Sequence, residues 1–221
     1  MEGIVIKSID YKEKSKLVYL YTPLGIRSVK ALDVSKSKLG FITTLNQVEF
    51  EATTGKLSTV TEYTLLKSFY SFYQNLDKVG VLSPILDVIL HLEEDANHTR
   101  IYPFFLRTLE ALEQTNSPYS ILSIFLIKML SVFGIKPELK KCIHCSNTRI
   151  VNFSFKEGGA LCANCSAVNE KNYAIYKAFY ELYYTQDFNI GVLPLSSKEV
   201  VEAIYSYYSI HAHFKLKGYK L

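Results

Sequence analysis

Cys142-Ile-His-Cys145 and Cys162-Ala-Asn-Cys165 hold all four cysteines of this 221-residue chain, and its architecture is read outward from them. Sixteen residues separate the two pairs, a spacing at which two C-x-x-C knuckles read as one four-cysteine zinc site. Two cysteines three apart on a tight turn can aim both sulfurs at one ion, and a second knuckle completes a tetrahedron of thiolates. Four bound sulfurs leave no open coordination position, so the expected Zn2+, one per chain, is structural. The span between the knuckles suits a hairpin: Arg149-Ile-Val-Asn-Phe-Ser-Phe155 alternates as a strand, and Gly158-Gly159 turns the chain back toward Leu161-Cys162. The competing readings are two disulfides or a redox dithiol pair. Disulfides need an oxidising compartment, whereas Met1-Glu2-Gly3-Ile4-Val5-Ile6-Lys7 lacks the pattern of a secretory leader. A redox C-x-x-C is expected singly, at a strand-to-helix turn. His144 could replace one ligand, but four sulfurs suffice, and it is expected beside the site or exposed.

The chain is 48% apolar with a net charge of +4, enough for real cores and too little charge to imply a polyanionic partner by itself. The longest apolar run, Ile121 to Phe133, is interrupted by Ser123, Lys128 and Ser131 and is shorter than the roughly 20 residues of a membrane span. A soluble, cytoplasmic protein without a membrane partner is expected. The distribution of charge says more than its sum. Lys7, Lys12, Lys14, Lys16, Arg27, Lys30, Lys36 and Lys38 crowd the N-terminal segment, against Asp10, Glu13 and Asp33.

Residues 2 to 67 read as five short strands: 3–9, 17–21, 26–32, 46–52 and 57–63, with turns at Thr22-Pro23-Leu24-Gly25 and Thr53-Thr54-Gly55-Lys56. Five strands in about seventy residues predict a small barrel, of which the OB-fold is the commonest solution. Beyond Ser68 the period becomes helical. Ser83-Pro84 and Ser117-Pro118 read as capped helix starts with proline in the first turn. Pro103 is expected in the first turn of a helix whose face is Ile101, Phe105, Leu109 and Leu112. The helix after Pro118 is apolar all round and ends at Gly134. Tyr173 to Tyr184 is helical, and Ser196-Ser-Lys-Glu199 is a capping box opening a last helix. The fold class expected is therefore α+β and multidomain: an OB-fold barrel over residues 1–72, and an α-helical domain over residues 73–221 carrying the zinc ribbon at 142–165.

No phosphate loop, dinucleotide fingerprint or hydrolase motif is present. Glu93-Glu94-Asp95 reads as a solvated helix end, His211-Ala-His213 as surface, and the stripe Tyr176, Tyr180, Tyr183 as the core face of its helix. The barrel lysines could track a phosphate backbone, with Tyr11, Tyr19 or Tyr21 stacking bases wherever those rings face outward. The opposing reading is ordinary surface lysines over a tyrosine-filled core.

The order of parts resembles the DNA repair protein RecO family across essentially the whole chain. The resemblance rests on the opening Gly3-Ile-Val-Ile6, on Lys16-Leu-Val-Tyr-Leu-Tyr-Thr-Pro-Leu-Gly25, on Lys36-Ser37-Lys38-Leu39, on Phe133-Gly-Ile-Lys-Pro-Glu-Leu139 leading into Cys142, and on Gly158-Gly-Ala-Leu-Cys162. It implies a bacterial, non-enzymatic recombination mediator, nucleoid-associated when bound to DNA. Such a protein binds single- and double-stranded DNA, anneals strands, contacts the C-terminal tail of single-stranded-DNA-binding protein and, with RecR, helps load RecA. By position the DNA-facing candidates are Lys14, Lys16, Arg27, Lys30, Lys36 and Lys38, and the metal ligands Cys142, Cys145, Cys162 and Cys165. Where many members carry a Gly-Ala-Arg-Arg-like run, this chain has Ala31-Leu-Asp-Val-Ser35, which implies modest affinity for naked DNA. The rival expectations are a zinc-stabilised protein-interaction scaffold with little DNA binding and a zinc-dependent enzyme, the latter opposed by the closed ligand set.

Overall fold

The computed structural model describes every residue except 34–38, 56–57, 187, 189–192, 194 and 218–221. The β-branched N-terminal segment forms β1 (Glu2–Lys12), β2 (Ser15–Thr22), β3 (Gly25–Ala31), β4 (Asn46–Ala52) and β5 (Val60–Ser68). These make one antiparallel sheet in the order β3-β2-β1-β4-β5. A parallel bridge between Lys30 and Thr59, with the Lys30 N–H donating to the Ser58 carbonyl at 2.8 Å, brings β3 back beside the entry to β5. The arrangement is that of a five-stranded, partly open OB barrel, touching at one bridge among the described residues rather than along a full ladder. The inward residues Val5, Val18, Leu20, Val29, Val48 and Phe50 form its core with Phe41 of the short helix α1 (Leu39–Ile42). The fifth strand starts later than the expected 57–63. The Thr53 N–H donates to the Thr59 carbonyl and the Thr53 hydroxyl accepts from the Thr59 N–H, so Thr53 and Thr59 bond to each other just ahead of the strand.

The helices are α2 (Leu76–Leu90), α3 (His98–Gln114), α4 (Pro118–Val132), α5 (Glu170–Tyr184) and α6 (Ser197–His211); the ribbon strands β6 (Ile150–Ser154) and β7 (Gly159–Cys162) lie between α4 and α5. Ser83 does not start α2. Asn75 does, its side-chain oxygen accepting from the Lys78 N–H at 3.1 Å, and Pro84 sits buried inside the helix. The early turns carry exposed Leu76 and Val79 and so show no apolar period to read. Pro103 likewise falls beyond the first turn of α3, which begins at His98 behind Asn97. The other termini follow their local chemistry. Gly134 at φ +69 ends α4, with the Ile135 N–H returning to the Leu130 carbonyl at 2.9 Å. The Ser196/Glu199 capping box opens α6.

Two compact units result: Met1–Val79 with Leu92–Glu113, and Gly80–His91 with Gln114–Leu221. Helix α3 therefore belongs with the barrel. Tyr21 of β2 is fully buried against it, its ring 5.7 Å from those of His98, Tyr102 and Phe105. The Tyr102 hydroxyl donates to Glu2 at 2.9 Å, tying α3 to the first strand.

Candidate metal centre and nucleic-acid interface

Each C-x-x-C segment folds into a hydrogen-bonded knuckle. In the first, the Cys142 carbonyl accepts from the Ser146 N–H at 2.9 Å, and Ser146 takes the left-handed conformation (φ 63) that closes the turn. In the second, the Cys162 carbonyl accepts from the amides of Cys165 and Ser166, both at 3.0 Å. Antiparallel pairing of β6 with β7, Ile150 opposite Cys162, brings the knuckles together. Gly158 at φ +72 makes the turn between them, and the side chain of Ile143 occupies the space where a Cβ on Gly159 would stand.

The four sulfurs lie within 4.8 Å of one another. Cys145 and Cys162 approach to 3.4 Å, far beyond the about 2.05 Å of a disulfide and close to the about 3.8 Å edge of a tetrahedron built on metal–sulfur bonds of about 2.3 Å. Burial opposes ionisation of Cys142, but the amides of Cys162, His144 and Cys145 point at its sulfur and bring the thiol down to about 6. The Cys145 sulfur acts the other way on Cys165, which with burial rises to about 12. Sulfurs this close cannot all carry charge unaided, and a divalent cation is what makes four thiolates compatible. The donor set thus fits a soft, tetrahedral metal ion. His144 stands outside it, exposed and paired with Glu157 at 2.8 Å. His211 donates to the Phe155 carbonyl at 2.6 Å, a bond that holds α6 to the ribbon.

The barrel candidates are scattered more than the sequence suggested. Lys14 is exposed at the β1–β2 turn, in the left-handed region (φ 56). Lys16 is engaged by Asp10 at 2.7 Å, so its charge is largely answered locally. Arg27 shares a register row with Leu20 and Val5 and lines a cleft with Glu93, Glu94 and His98. Lys30 lies on the outward face, its ammonium 5.7 Å from the Tyr11 ring centroid. Lys36 and Lys38 lie outside the described residues.

Two lysines absent from that set complete the outward face. β1 carries a bulge between Val5 and Lys7: Val5 opposes Leu20 and Lys7 opposes Tyr19. The extra residue reverses the alternation, so Val5 points into the core while Lys7 stands outside, 5.9 Å from the Tyr19 ring. The outer rows are then Lys7–Tyr19–Ser28 and Ile9–Leu17–Lys30, with Lys12 5.6 Å from the exposed Tyr11. Tyr21, one of the three rings considered for stacking, is buried under α3 and unavailable. The β4–β5 pair carries an acidic cluster instead. Glu51 stands directly across from Glu62, and both line a shallow cleft with Glu49.

Among the described residues, no helix is long and apolar enough to cross a membrane.

The chain matches the family described as Recombination protein O N terminal over residues 1–69 and Recombination protein O C terminal over residues 73–217. It is 29% identical to the DNA repair protein RecO of Halalkalibacterium halodurans, across 98% of this chain and 91% of the relative. It is 31% identical to the DNA repair protein RecO of Caldanaerobacter subterraneus across 75% of this chain and 70% of the relative. Against the RecO of Listeria monocytogenes it is 25% identical over 99% of this chain and 91% of the relative. Full-length similarity, both halves of the family pattern, the OB barrel and the four-cysteine ribbon agree: the chain belongs to the RecO family of DNA repair proteins.

Proposed function

We propose that this protein serves DNA repair as a recombination mediator that works by binding, without covalent chemistry. The outward β1–β3 face carries the reading: Lys7, Lys12 and Lys30 interleaved with Tyr11 and Tyr19, on a barrel whose acidic cluster lies on β4 and β5. Lysines answer phosphates and exposed rings stack bases, the combination by which OB-folds hold single strands. Lys14 extends the charge at the turn, and Lys36 and Lys38 are proposed to extend it further along the chain. Held on such a face, two complementary strands repel each other less, which is how annealing would proceed. Family membership supports double-stranded DNA as a second ligand. It also supports RecR, the C-terminal tail of single-stranded-DNA-binding protein and, indirectly, RecA as partners. The metal of the ribbon is proposed to be one structural Zn2+.

The test is fluorescence polarisation of a labelled single-stranded oligonucleotide at two salt concentrations, with and without the double reversal Lys7→Glu/Lys30→Glu. Loss of two phosphate contacts lowers the single-strand salt slope by about 1.4. An unchanged affinity and slope would remove the barrel from the DNA surface and favour a scaffold role.

A further inference from the structure

Helix α5 carries an aromatic row that its packing does not require. Tyr176, Tyr180 and Tyr183 read in sequence as its core face, yet the buried positions are Ile175, Ala178, Phe179 and Leu182. Tyr173, Tyr176, Tyr180 and Tyr184 follow one another at i, i+3 and i+4 along a different side, with successive ring centroids 5.9, 6.1 and 4.7 Å apart. Tyr180 is 39% exposed and its three neighbours are half-buried, so the row is open to solvent while anchored at its base. Tyr176 packs against the cysteine cluster, which fixes where the ladder begins.

Cations flank it. The Lys177 ammonium lies 4.8 Å from the Tyr173 ring, that of Lys140 5.6 Å from Tyr184, and that of Lys136 4.6 Å from the adjoining Tyr183. All three lysines are exposed, and none forms a salt bridge among the described residues. The nearby carboxylate of Glu138, in the segment before the ribbon, is turned onto the Lys140 backbone N–H at 2.8 Å; Glu181 is the acidic group on α5 between Tyr173 and Tyr184.

A partner that fits must offer flat π-faces at intervals and negative charge beside them. Single-stranded nucleic acid has both: unpaired bases stack on tyrosine rings, and phosphates reach the flanking lysines. A duplex hides its base faces and gains only the charge. We propose that the α5 tyrosine ladder is a single-strand-binding surface of the second unit, separate from the barrel face and independent of the lysines there.

The experiment uses the full chain and measures binding of a single-stranded thymidine oligonucleotide and of a duplex of equal length. The variants are Tyr180→Ala, Tyr180→Phe and Lys136→Glu/Lys177→Glu, with the barrel reversal Lys7→Glu/Lys30→Glu beside them and melting curves to check folding. Expected are a loss of about fivefold or more in single-strand affinity for Tyr180→Ala, wild-type binding for Tyr180→Phe, and a duplex affinity that Tyr180→Ala leaves in place. The lysine reversal should lower the single-strand salt slope by about 1.4. Single-strand binding by Tyr180→Ala equal to wild type overturns the proposal, and an effect of the barrel reversal in the same series leaves the barrel reading standing. Equal loss of single-strand and duplex binding also overturns it. So does an acidic, aromatic-ended peptide that binds the ladder in a Tyr180-dependent way while single-strand affinity is unmoved. An effect of Tyr180→Ala with none from the barrel reversal upholds the ladder and overturns the barrel face.

Discussion

The barrel and the ribbon are both small β structures, but they are held by different forces. The partly open barrel packs around a continuous apolar core of Val5, Val18, Leu20, Val29, Val48, Phe41 and Phe50. Around the knuckles the buried cluster is smaller, Ile150, Ala160 and Leu161 with Cys142 and Cys162, while Phe153 of the same hairpin turns to α5 and α6. Burial at about 25 cal/mol per Å2 can support the first, whereas so few apolar side chains cannot hold two knuckles in place. The contrast teaches where a metal would matter most: a four-cysteine cluster able to hold one stands where the apolar core is thin.

The largest test of that contrast is metal removal. Structural zinc supplies on the order of 10 kcal/mol or more to small domains, so chelation or Cys142→Ser should release β6 and β7 to rapid hydrogen exchange while β1, β2 and β4 stay protected. Equal loss in both units would end the comparison. Next in size is the ribbon's docking onto the helices. Phe153 is buried with its ring 5.4 Å from Phe179 and 6.2 Å from Tyr207, and Phe153→Ala should cost about 3–5 kcal/mol, read as a lowered melting transition of the second unit alone. The charge reversal Lys7→Glu/Lys30→Glu should act in the opposite sense: DNA affinity falls while both melting transitions stay within about 0.5 kcal/mol of wild type, as for other surface changes. The smallest effect is at the α6 cap. The Ser196 hydroxyl and amide hold the Glu199 carboxyl below its usual range. A carboxyl with a lowered folded-state value contributes stability above its unfolded value and loses it as pH falls through the folded one. Ser196→Ala should therefore cost about 1 kcal/mol near neutral pH and flatten the acid side of the stability profile. An acid limb identical to wild type would show that the cap contributes nothing there.

The features legible in the sequence were the ones decided within a few residues. The knuckle spacing, Gly134 behind α4, the Ser196/Glu199 box and the turn at Gly158-Gly159 each name their own local geometry, and the structure keeps them. The start of α2 was not legible, because Asn75 caps turns whose Leu76 and Val79 face solvent and leave no apolar period.

By itself, then, the amino-acid sequence determined the pairing of the four cysteines into one cluster, the strand count of the barrel and the order of parts, since these depend on chemistry and spacing along the chain. Only the tertiary structure decided which tyrosines are surfaces. Tyr19 and Tyr21 are two apart on one strand, yet the first stands beside Lys7 and the second is buried under α3. On α5 the tyrosines lie outside because Ile175, Phe179 and Leu182 fill the core. The physical reason is common to both cases: whether a side chain on a given face stays open to solvent depends on the element packed against that strand or helix, and that partner is not written at the residue itself.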